Sequence, residues 1–241
     1  MTSHSDDRRH RKIFTTRHGG YSTAPFDSFN LGDHVGDDPE NVAKNRRRLA
    51  EGLGIAPENF VYMEQVHSNN VTVIDGPVNE PVETTDALIT ATPGLALVVL
   101  VADCVPVLLS DDDAGIVAAV HAGRMGARNG VVRKTVEKMI ELGSKPANIH
   151  CLLGPAASGA HYEVPESMAI DVENRLPGSR TRTKKGSHGI DVRAGIIHQL
   201  VGIGVSNINA DPRCTIDDHS FFSYRREGKT GRQAGVIVLT S

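Results

Sequence analysis

Two histidines and one cysteine in this chain have the residue types of a catalytic metal site. His67, Cys104 and His121 each lie where an apolar run meets small or turn-forming residues. Zinc takes Cys and His ligands at about 2.0–2.3 Å, and a catalytic zinc site leaves its fourth position to water or substrate. Three candidate ligands without an evident fourth therefore indicate catalysis rather than a structural zinc site.

The residue types also allow interpretations without a metal. A single Cys beside apolar residues is usually a small buried hydrophobe. A second alternative is a metal-free cysteine hydrolase or deamidase, in which Cys104 is the nucleophile, His121 the base and His67 a further polar group. The wide spacing of the three residues does not decide among these possibilities, because it lacks the close pairing of Cys-x-x-Cys zinc sites.

Composition indicates one globular domain. The chain has 241 residues, of which 39% are hydrophobic and 23% charged, enough for a complete core. A net charge of -3 argues against binding of a nucleic-acid polymer. We expect residues 1–12, which are too charged for a signal peptide, to form a disordered tail, and residues 13–241 to form a single catalytic domain. No stretch approaches the roughly 18 apolar residues of a membrane span.

The cysteines point to a reducing compartment. Cys104, Cys151 and Cys214 are odd in number and far apart along the chain, so a disulfide framework is not expected. Disulfides are rare in the cytosol, and we therefore expect a cytoplasmic protein. Cys104 would then be available as a thiolate ligand.

The elements that must position these residues follow from the hydrophobic pattern, which predicts an α/β domain with mixed β-sheets flanked by helices. Continuous apolar runs over residues 95–102, 105–109 and 116–120 predict strands buried on both faces. Asp38 as N-cap with Pro39 at the first position predicts a helix that ends at Gly54. Further strands are predicted over 13–17, 71–74, 149–153 and 234–239, and helices over 131–140, 166–174 and 193–201.

These strand limits place His121 in a turn between a strand and a helix. Backbone N–H groups at a helix start favour an anion. Asp103 is expected either to orient a metal ligand or a water molecule, or to cap a turn. Arg225 and Arg226 are neighbours that point in opposite directions if the backbone is extended, so at most one should reach a common site.

Several short motifs occur in an order that is found in one known family. They are Gln65-Val66-His67, Ala102-Asp103-Cys104-Val105-Pro106, Val120-His121-Ala122-Gly123, Gly154-Pro155, Tyr162-Glu163-Val164 and Phe221-Phe222-Ser223-Tyr224-Arg225-Arg226 with Gly231-Arg232. From about Ile13 to the C-terminus, the chain resembles the laccase-domain, polyphenol-oxidase-like family, whose members are regarded as zinc-dependent purine nucleoside phosphorylases. The fold also looks similar to that of bacterial toxin deamidases that use Cys and His.

The resemblance implies an activity and a set of site residues. The activity is cleavage of adenosine or inosine with inorganic phosphate to ribose 1-phosphate and the free base, with related adenosine deaminase and methylthioadenosine phosphorylase activities. The zinc ligands, which would also be catalytic, carry over to His67, Cys104 and His121. Substrate and phosphate contacts carry over to the early loop that begins at Arg17, to Asn30, and to the segment that contains Ser223, Arg225 and Arg226.

One motif departs from the family pattern. The family commonly reads His-Ala-Gly-Trp-Arg-Gly, whereas this chain reads His121-Ala122-Gly123-Arg124-Met125-Gly126. An aromatic residue is lost and the arginine is displaced by one position, so Arg124 either supplies the charge from a neighbouring position or faces solvent. The change also leaves open a non-catalytic protein that binds nucleosides without turnover.

The older family name suggests a copper oxidase. Such an enzyme needs a His-Cys-His site with a weak axial ligand and further histidine clusters for oxygen chemistry. The chain has no paired His-x-His motif that could build such a cluster. Zinc is therefore favoured over copper as the cofactor.

Overall fold

The three continuous apolar runs form the central strands of the domain. In the computed structural model, which describes residues 9–240, these are β5 (Ala96–Val101), β6 (Val105–Asp111) and β7 (Ile116–Ala122), all fully buried. Strand β7 extends two residues beyond its predicted end, and His121 pairs with Pro106 of β6. His121 therefore lies within a strand, which corrects its expected position in a turn.

The N-terminal strand also begins earlier than expected. Strand β1 covers His10–Phe14 and pairs antiparallel with the last strand, β12 (Gln233–Leu239). Residues 10–12, expected in a disordered tail, thus belong to the sheet. Residues 1–8 of that predicted tail lie outside the described part of the chain.

Two mixed sheets make up the centre of the described domain. The first has the order β1-β12-β5-β2, in which β2 is Phe60–Val61. The second has the order β11-β8-β6-β7-β4-β3, with β3 at Val71–Val73, β4 at Ala87–Thr90, β8 at His150–Leu153 and β11 at Asn207–Ala210. A separate antiparallel pair consists of β9 (Arg180–Arg182) and β10 (His188–Ile190).

Helices cover the outer face of each sheet. Helix α1 (Pro39–Leu53) has the predicted Asp38 N-cap and ends at Gly54, whose φ is 65°. The remaining helices are α2 (Arg124–Arg128), α3 (Val131–Glu141), α4 (Glu166–Arg175), α5 (Val192–Gly202) and α6 (Tyr224–Glu227). Across residues 9–240, no helix combines the length and apolar character that crossing a membrane requires.

The side-chain alternation of the strands builds three apolar layers. Leu97, Val99 and Val101 of β5 pack between the two sheets, against Leu108 and Val117. The alternate residues of β5 pack on the opposite face, with side chains of α1. The outer face of the six-stranded sheet packs with residues of α2 to α5. The order of layers is α1, four-stranded sheet, six-stranded sheet and α2 to α5, which confirms the predicted α/β domain.

Candidate metal centre and adjoining cavity

The three candidate ligands lie together at one end of the six-stranded sheet. Sγ of Cys104 lies 3.7 Å from Nε2 of His67, and one donor atom from each of His67, Cys104 and His121 falls within 4.8 Å of the others. Two ligand atoms of a tetrahedral zinc ion are about 3.5 Å apart, given its bond lengths. The donor set and its spacing therefore fit a single zinc ion.

A buried carboxylate fixes the orientation of His121. The imidazole is 3% exposed, and its Nδ1 lies 2.8 Å from Oδ1 of Asp86, which is fully buried. Metal-bound histidines commonly donate their second ring N–H to a carboxylate in this way. The contact leaves Nε2 of His121 as the nitrogen available to a metal.

The same carboxylate holds the loop that carries His67. It accepts the backbone N–H of His67 at 3.0 Å, the N–H of Ser68 at 2.6 Å and the hydroxyl of Ser68 at 2.7 Å. His67 has a φ of 59°, a left-handed conformation that is uncommon for a residue other than glycine. Asp86 therefore joins two ligands that are far apart in sequence, and stabilises the unusual backbone of one of them.

Gln65 anchors the other end of this loop. Its side-chain amide donates to the carbonyl of Leu100 at 2.7 Å and accepts the N–H of Leu100 at 2.8 Å. The amide thus pairs with β5 as a backbone peptide group would. This contact explains why Gln65 stands two residues before the ligand His67.

Two glycines let helix α2 approach the ligands closely. A Cβ atom at Gly123 would lie 2.6 Å from Cδ2 of His67 and 3.0 Å from Sγ of Cys104. A Cβ at Gly126 would lie 2.8 Å from the carbonyl oxygen of Ser68. Larger residues at these positions would displace the ligands from one another.

The cluster favours the charged form of its cysteine. Burial raises the pKa of Cys104, but the charges and hydrogen bonds of His121 and His67 outweigh burial and lower it to about 6. Burial lowers the pKa of His121, whereas Cys104 and Asp86 raise it, to about 9. The thiolate is the form that binds a metal. His121 binds a metal only as the neutral ring, so metal binding at this cluster would release the imidazole proton.

A cavity of about 430 Å³ opens beside Cys104. Small and apolar residues form part of its wall, and its larger polar side chains are Arg124, Tyr162, Tyr224 and Arg225. Its volume lies in the range of small-molecule sites. Arginines can bind an oxyanion, and tyrosine rings can contact a planar base. Arg124 lies in this wall, at the position where the sequence departs from the family pattern.

Asp103 organises the cavity wall rather than the metal ligands. Its Oδ1 accepts the hydroxyl of Thr215 at 2.6 Å, and its Oδ2 accepts the backbone N–H of Arg225 at 2.6 Å. This arrangement corrects the expectation that Asp103 orients a metal-bound histidine. The carboxylate instead connects the segment before β6 to the start of α6.

Of the two adjacent arginines, only Arg225 lines the cavity. Its guanidinium lies 4.8 Å from the ring centre of Tyr162, and Nη1 donates to the carbonyl of Glu163 at 3.1 Å. Arg226 points away and donates to the carbonyls of Thr215 and Phe221, each at 2.6 Å. Arg226 therefore holds the preceding loop together, which corrects its expected contact with substrate.

The remaining predicted contact residues also lie outside the cavity wall. Arg17 forms an ion pair with Glu227 at 2.7 Å and lies over the ring of Phe222. Ser223 is the buried N-cap of α6. Asn30 is buried and its side chain is engaged by backbone groups of its own loop and of Arg232. The structure does not bring these three residues to the cavity.

Asp86 is the principal site residue that the sequence analysis missed. It directly precedes β4, whose four residues were not predicted as a strand. Because β4 pairs with β7, with Ala87 opposite Val120, the residue before β4 lies beside His121. The signal in the sequence is a carboxylate immediately before the short apolar run Ala87-Leu88-Ile89.

Comparison with known proteins agrees with this description. Residues 11–240 match the sequence family described as multi-copper polyphenol oxidoreductase laccase. A Corynebacterium glutamicum protein named purine nucleoside phosphorylase is 66% identical over 231 residues, covering 95% of this chain and 94% of its own. A Mycobacterium tuberculosis protein of the same name is 55% identical, covering 96% and 92%.

Solved structures share the fold. The crystal structure of YlmD from Geobacillus stearothermophilus has a TM-score of 0.91 at 33% identity, covering 97% of this chain and 93% of that one. The hypothetical protein YfiH from Bacillus licheniformis has a TM-score of 0.90 at 32% identity, covering 96% and 93%. The architecture of sheets and helices is therefore common to these proteins.

Proposed function

The chain belongs to the multi-copper polyphenol oxidoreductase laccase family, and we propose that it is a zinc-dependent purine nucleoside phosphorylase. Relatives of that name match it over more than nine tenths of its length. The observation that carries the proposal is the cluster of His67, Cys104 and His121 at the edge of a cavity that contains two arginines and two tyrosines. The proposed substrates are adenosine or inosine and inorganic phosphate.

The donor set supports zinc as the metal. Two imidazoles and one thiolate are ligands that zinc commonly takes, with a fourth position left to a reactant. Multi-copper oxidation needs further histidine clusters. Within residues 9–240, these three residues form the one group of His, Cys, Asp or Glu side chains that is placed to hold a metal ion. His67, Cys104 and His121 would hold the zinc ion.

The residues of the cavity have complementary tasks in phosphorolysis. Phosphate must approach the anomeric carbon while positive charge develops on the ribose and negative charge on the leaving purine. Arg124 and Arg225 would bind phosphate through charge-assisted hydrogen bonds and orient it for attack. Tyr162 and Tyr224 would contact the purine ring. Zinc, when bound, would polarise a purine heteroatom or lower the pKa of a water molecule.

The same cavity is proposed to serve adenosine deamination and methylthioadenosine phosphorolysis. Deamination needs an activated water near the purine carbon that bears the amino group, and the metal cluster borders the cavity where that ring would lie. We place these reactions in the cytoplasm, since Cys104, Cys151 and Cys214 are free thiols.

The test is incubation of the zinc-loaded protein with inosine and phosphate, followed by chromatography, with and without a chelator. We expect phosphate-dependent release of hypoxanthine and ribose 1-phosphate that the chelator abolishes. His67→Ala, Cys104→Ala and His121→Ala should each remove this activity, whereas His198→Ala, an exposed histidine of α5, should retain it. Nucleoside binding without any turnover in the loaded wild type would instead support the non-catalytic alternative.

A metal-free cysteine hydrolase is the second candidate function. The contact of Asp86 with His121, next to a Cys104 thiol of lowered pKa, also resembles a nucleophile, base and orienting acid. This candidate predicts full activity in protein stripped of metal and its loss on thiol alkylation. The phosphorylase proposal predicts stoichiometric zinc that is lost in Cys104→Ser.

A further inference from the structure

Arg232 directly precedes β12, a central strand of the four-stranded sheet. In the antiparallel pair of β12 and β5, Gln233 is opposite Val101. One step further along the ladder, Arg232 comes beside Ala102, which lines the cavity and is two residues from Cys104. The backbone register therefore places Arg232 beside a residue of the cavity wall, on a different element than those that carry Arg124 and Arg225, although Arg232 itself lies just outside that wall.

The loop Asn30-Leu31-Gly32 holds Arg232 in this position. Oδ1 of Asn30 accepts the backbone N–H of Arg232 at 2.8 Å, and the N–H of Leu31 donates to its carbonyl at 3.0 Å. A Cβ atom at Gly32 would lie 2.8 Å from Cγ of Arg232. The loop is thus shaped around the backbone and the stem of one arginine.

Only one nitrogen of the Arg232 guanidinium forms hydrogen bonds within the described residues. Its Nη1 donates to the carbonyls of Thr230 at 3.0 Å and Gly231 at 2.9 Å. Within residues 9–240, no hydrogen bond is found for its Nε or Nη2, and no carboxylate lies within ion-pair distance of it. A half-buried cation without a counter-charge costs free energy, which an anionic ligand would offset.

Two negatively charged groups lie near Arg232 and bear on which ligand it would bind. Burial lowers the pKa of Arg232, and the negative charges of Cys104 and Asp103 act against that effect. These two groups would repel an anion that approaches the cavity. A guanidinium beside them offsets this repulsion where a phosphate must pass close to the thiolate.

We propose that Arg232 is an anion-binding residue at the edge of the cavity, that it contacts the phosphate co-substrate, and that the Asn30-Leu31-Gly32 loop positions it for this contact. The inference rests on the proposed phosphorolysis. Arg232 then complements Arg124 and Arg225, and the three guanidinium groups contact phosphate from different elements. The role of Asn30 is to position Arg232 rather than to touch substrate.

The first experiment measures equilibrium binding of inorganic phosphate to the zinc-loaded protein by calorimetry. Arg232→Gln should weaken phosphate binding about 10- to 100-fold, as loss of a charge-assisted hydrogen bond does, with an unchanged zinc content. Arg232→Lys, which keeps the charge, should restore part of the affinity. Gly32→Ala, which displaces the side chain of Arg232, should weaken phosphate binding in the same direction.

Arg193→Gln is the matched control, since Arg193 is a buried arginine that donates to the carbonyl of Arg213. It should lower the melting temperature without changing phosphate affinity.

In steady-state assays, Arg232→Gln should raise the KM for phosphate while the KM for inosine changes little. Wild-type phosphate affinity in folded Arg232→Gln would overturn the inference. If the wild type binds phosphate but releases no hypoxanthine, the proposed function fails while the phosphate-binding result still decides the role of Arg232.

Discussion

Two aspartates organise opposite sides of Cys104, and they do so differently. On the metal side, Asp86 is fully buried and contacts both His67 and His121. On the substrate side, Asp103 is half-buried and joins Thr215 to the start of α6. The same residue type thus fixes metal ligands in one region and a cavity wall in the other. Substitutions in the two regions should therefore separate metal affinity from substrate affinity.

The largest expected effect is that of Asp86→Ala. The substitution removes the acceptor for the N–H groups of His67 and Ser68 and for the imidazole of His121. We expect zinc affinity to fall by about 10- to 100-fold or more, because outer-sphere partners of metal ligands have effects of that size. Competition with a chromophoric chelator measures it. Asp103→Ala is the control and should keep its zinc; wild-type zinc affinity in Asp86→Ala would contradict the distinction between the two sides.

Gly123→Ala should have the next largest effect. The new Cβ atom would press against the His67 imidazole and the Cys104 sulfur. We expect a loss of about 1–3 kcal/mol in the free energy of unfolding, as for other overpacked sites, together with weaker zinc binding. Gly52→Ala in α1, where no atom lies within 4 Å of the new Cβ, should change neither quantity unfavourably. Equal behaviour of the two variants in denaturation and zinc titration would argue against close packing at the metal centre.

A smaller effect is expected for Asp103→Asn. The amide keeps the size of the side chain but removes the charge that holds the Thr215 hydroxyl and the Arg225 N–H. The wall that carries Arg225 should loosen, and kcat/KM for inosine should fall about tenfold, which corresponds to about 1.4 kcal/mol. Zinc content should stay at the wild-type level. Loss of zinc from Asp103→Asn would show that both aspartates belong to the metal side.

The mildest test alters no residue and compares two cysteines. Burial raises the pKa of Cys151 to about 12, whereas that of Cys104 is lowered to about 6. The thiolate is the reactive form, and it is populated above the pKa. In metal-free folded protein, iodoacetamide should therefore modify Cys104 at a rate that rises through pH 6 and then levels off, with Cys151 unmodified. Peptide mapping by mass spectrometry measures this, and bound zinc should protect Cys104.

The parts of this arrangement that could be predicted are those encoded locally. Long apolar runs specify β5, β6 and β7, and the Asp38 and Pro39 pair specifies the start of α1. The ligand types of His67, Cys104 and His121 are visible in the sequence because Cys and His are the usual zinc ligands. Each of these signals occupies one short segment.

The remaining site residues depend on contacts between distant segments. Asp86 reaches His121 only because the four-residue strand β4 pairs with β7. Arg226 and Asn30 have the residue types of substrate contacts, yet backbone groups of neighbouring loops engage them. Arg225 and Arg226 are adjacent and chemically identical, and only the fold of α6 determines which of them faces the cavity.

Zinc K-edge X-ray absorption of the purified, zinc-loaded protein tests the central claim most directly. We predict one zinc ion per chain with one sulfur ligand and two imidazole nitrogens in the wild type, and loss of the zinc together with loss of phosphate-dependent inosine cleavage in Cys104→Ser. A zinc ion without a sulfur ligand, or full cleavage activity in protein that contains no zinc, would contradict the assignment of His67, Cys104 and His121 as the metal centre.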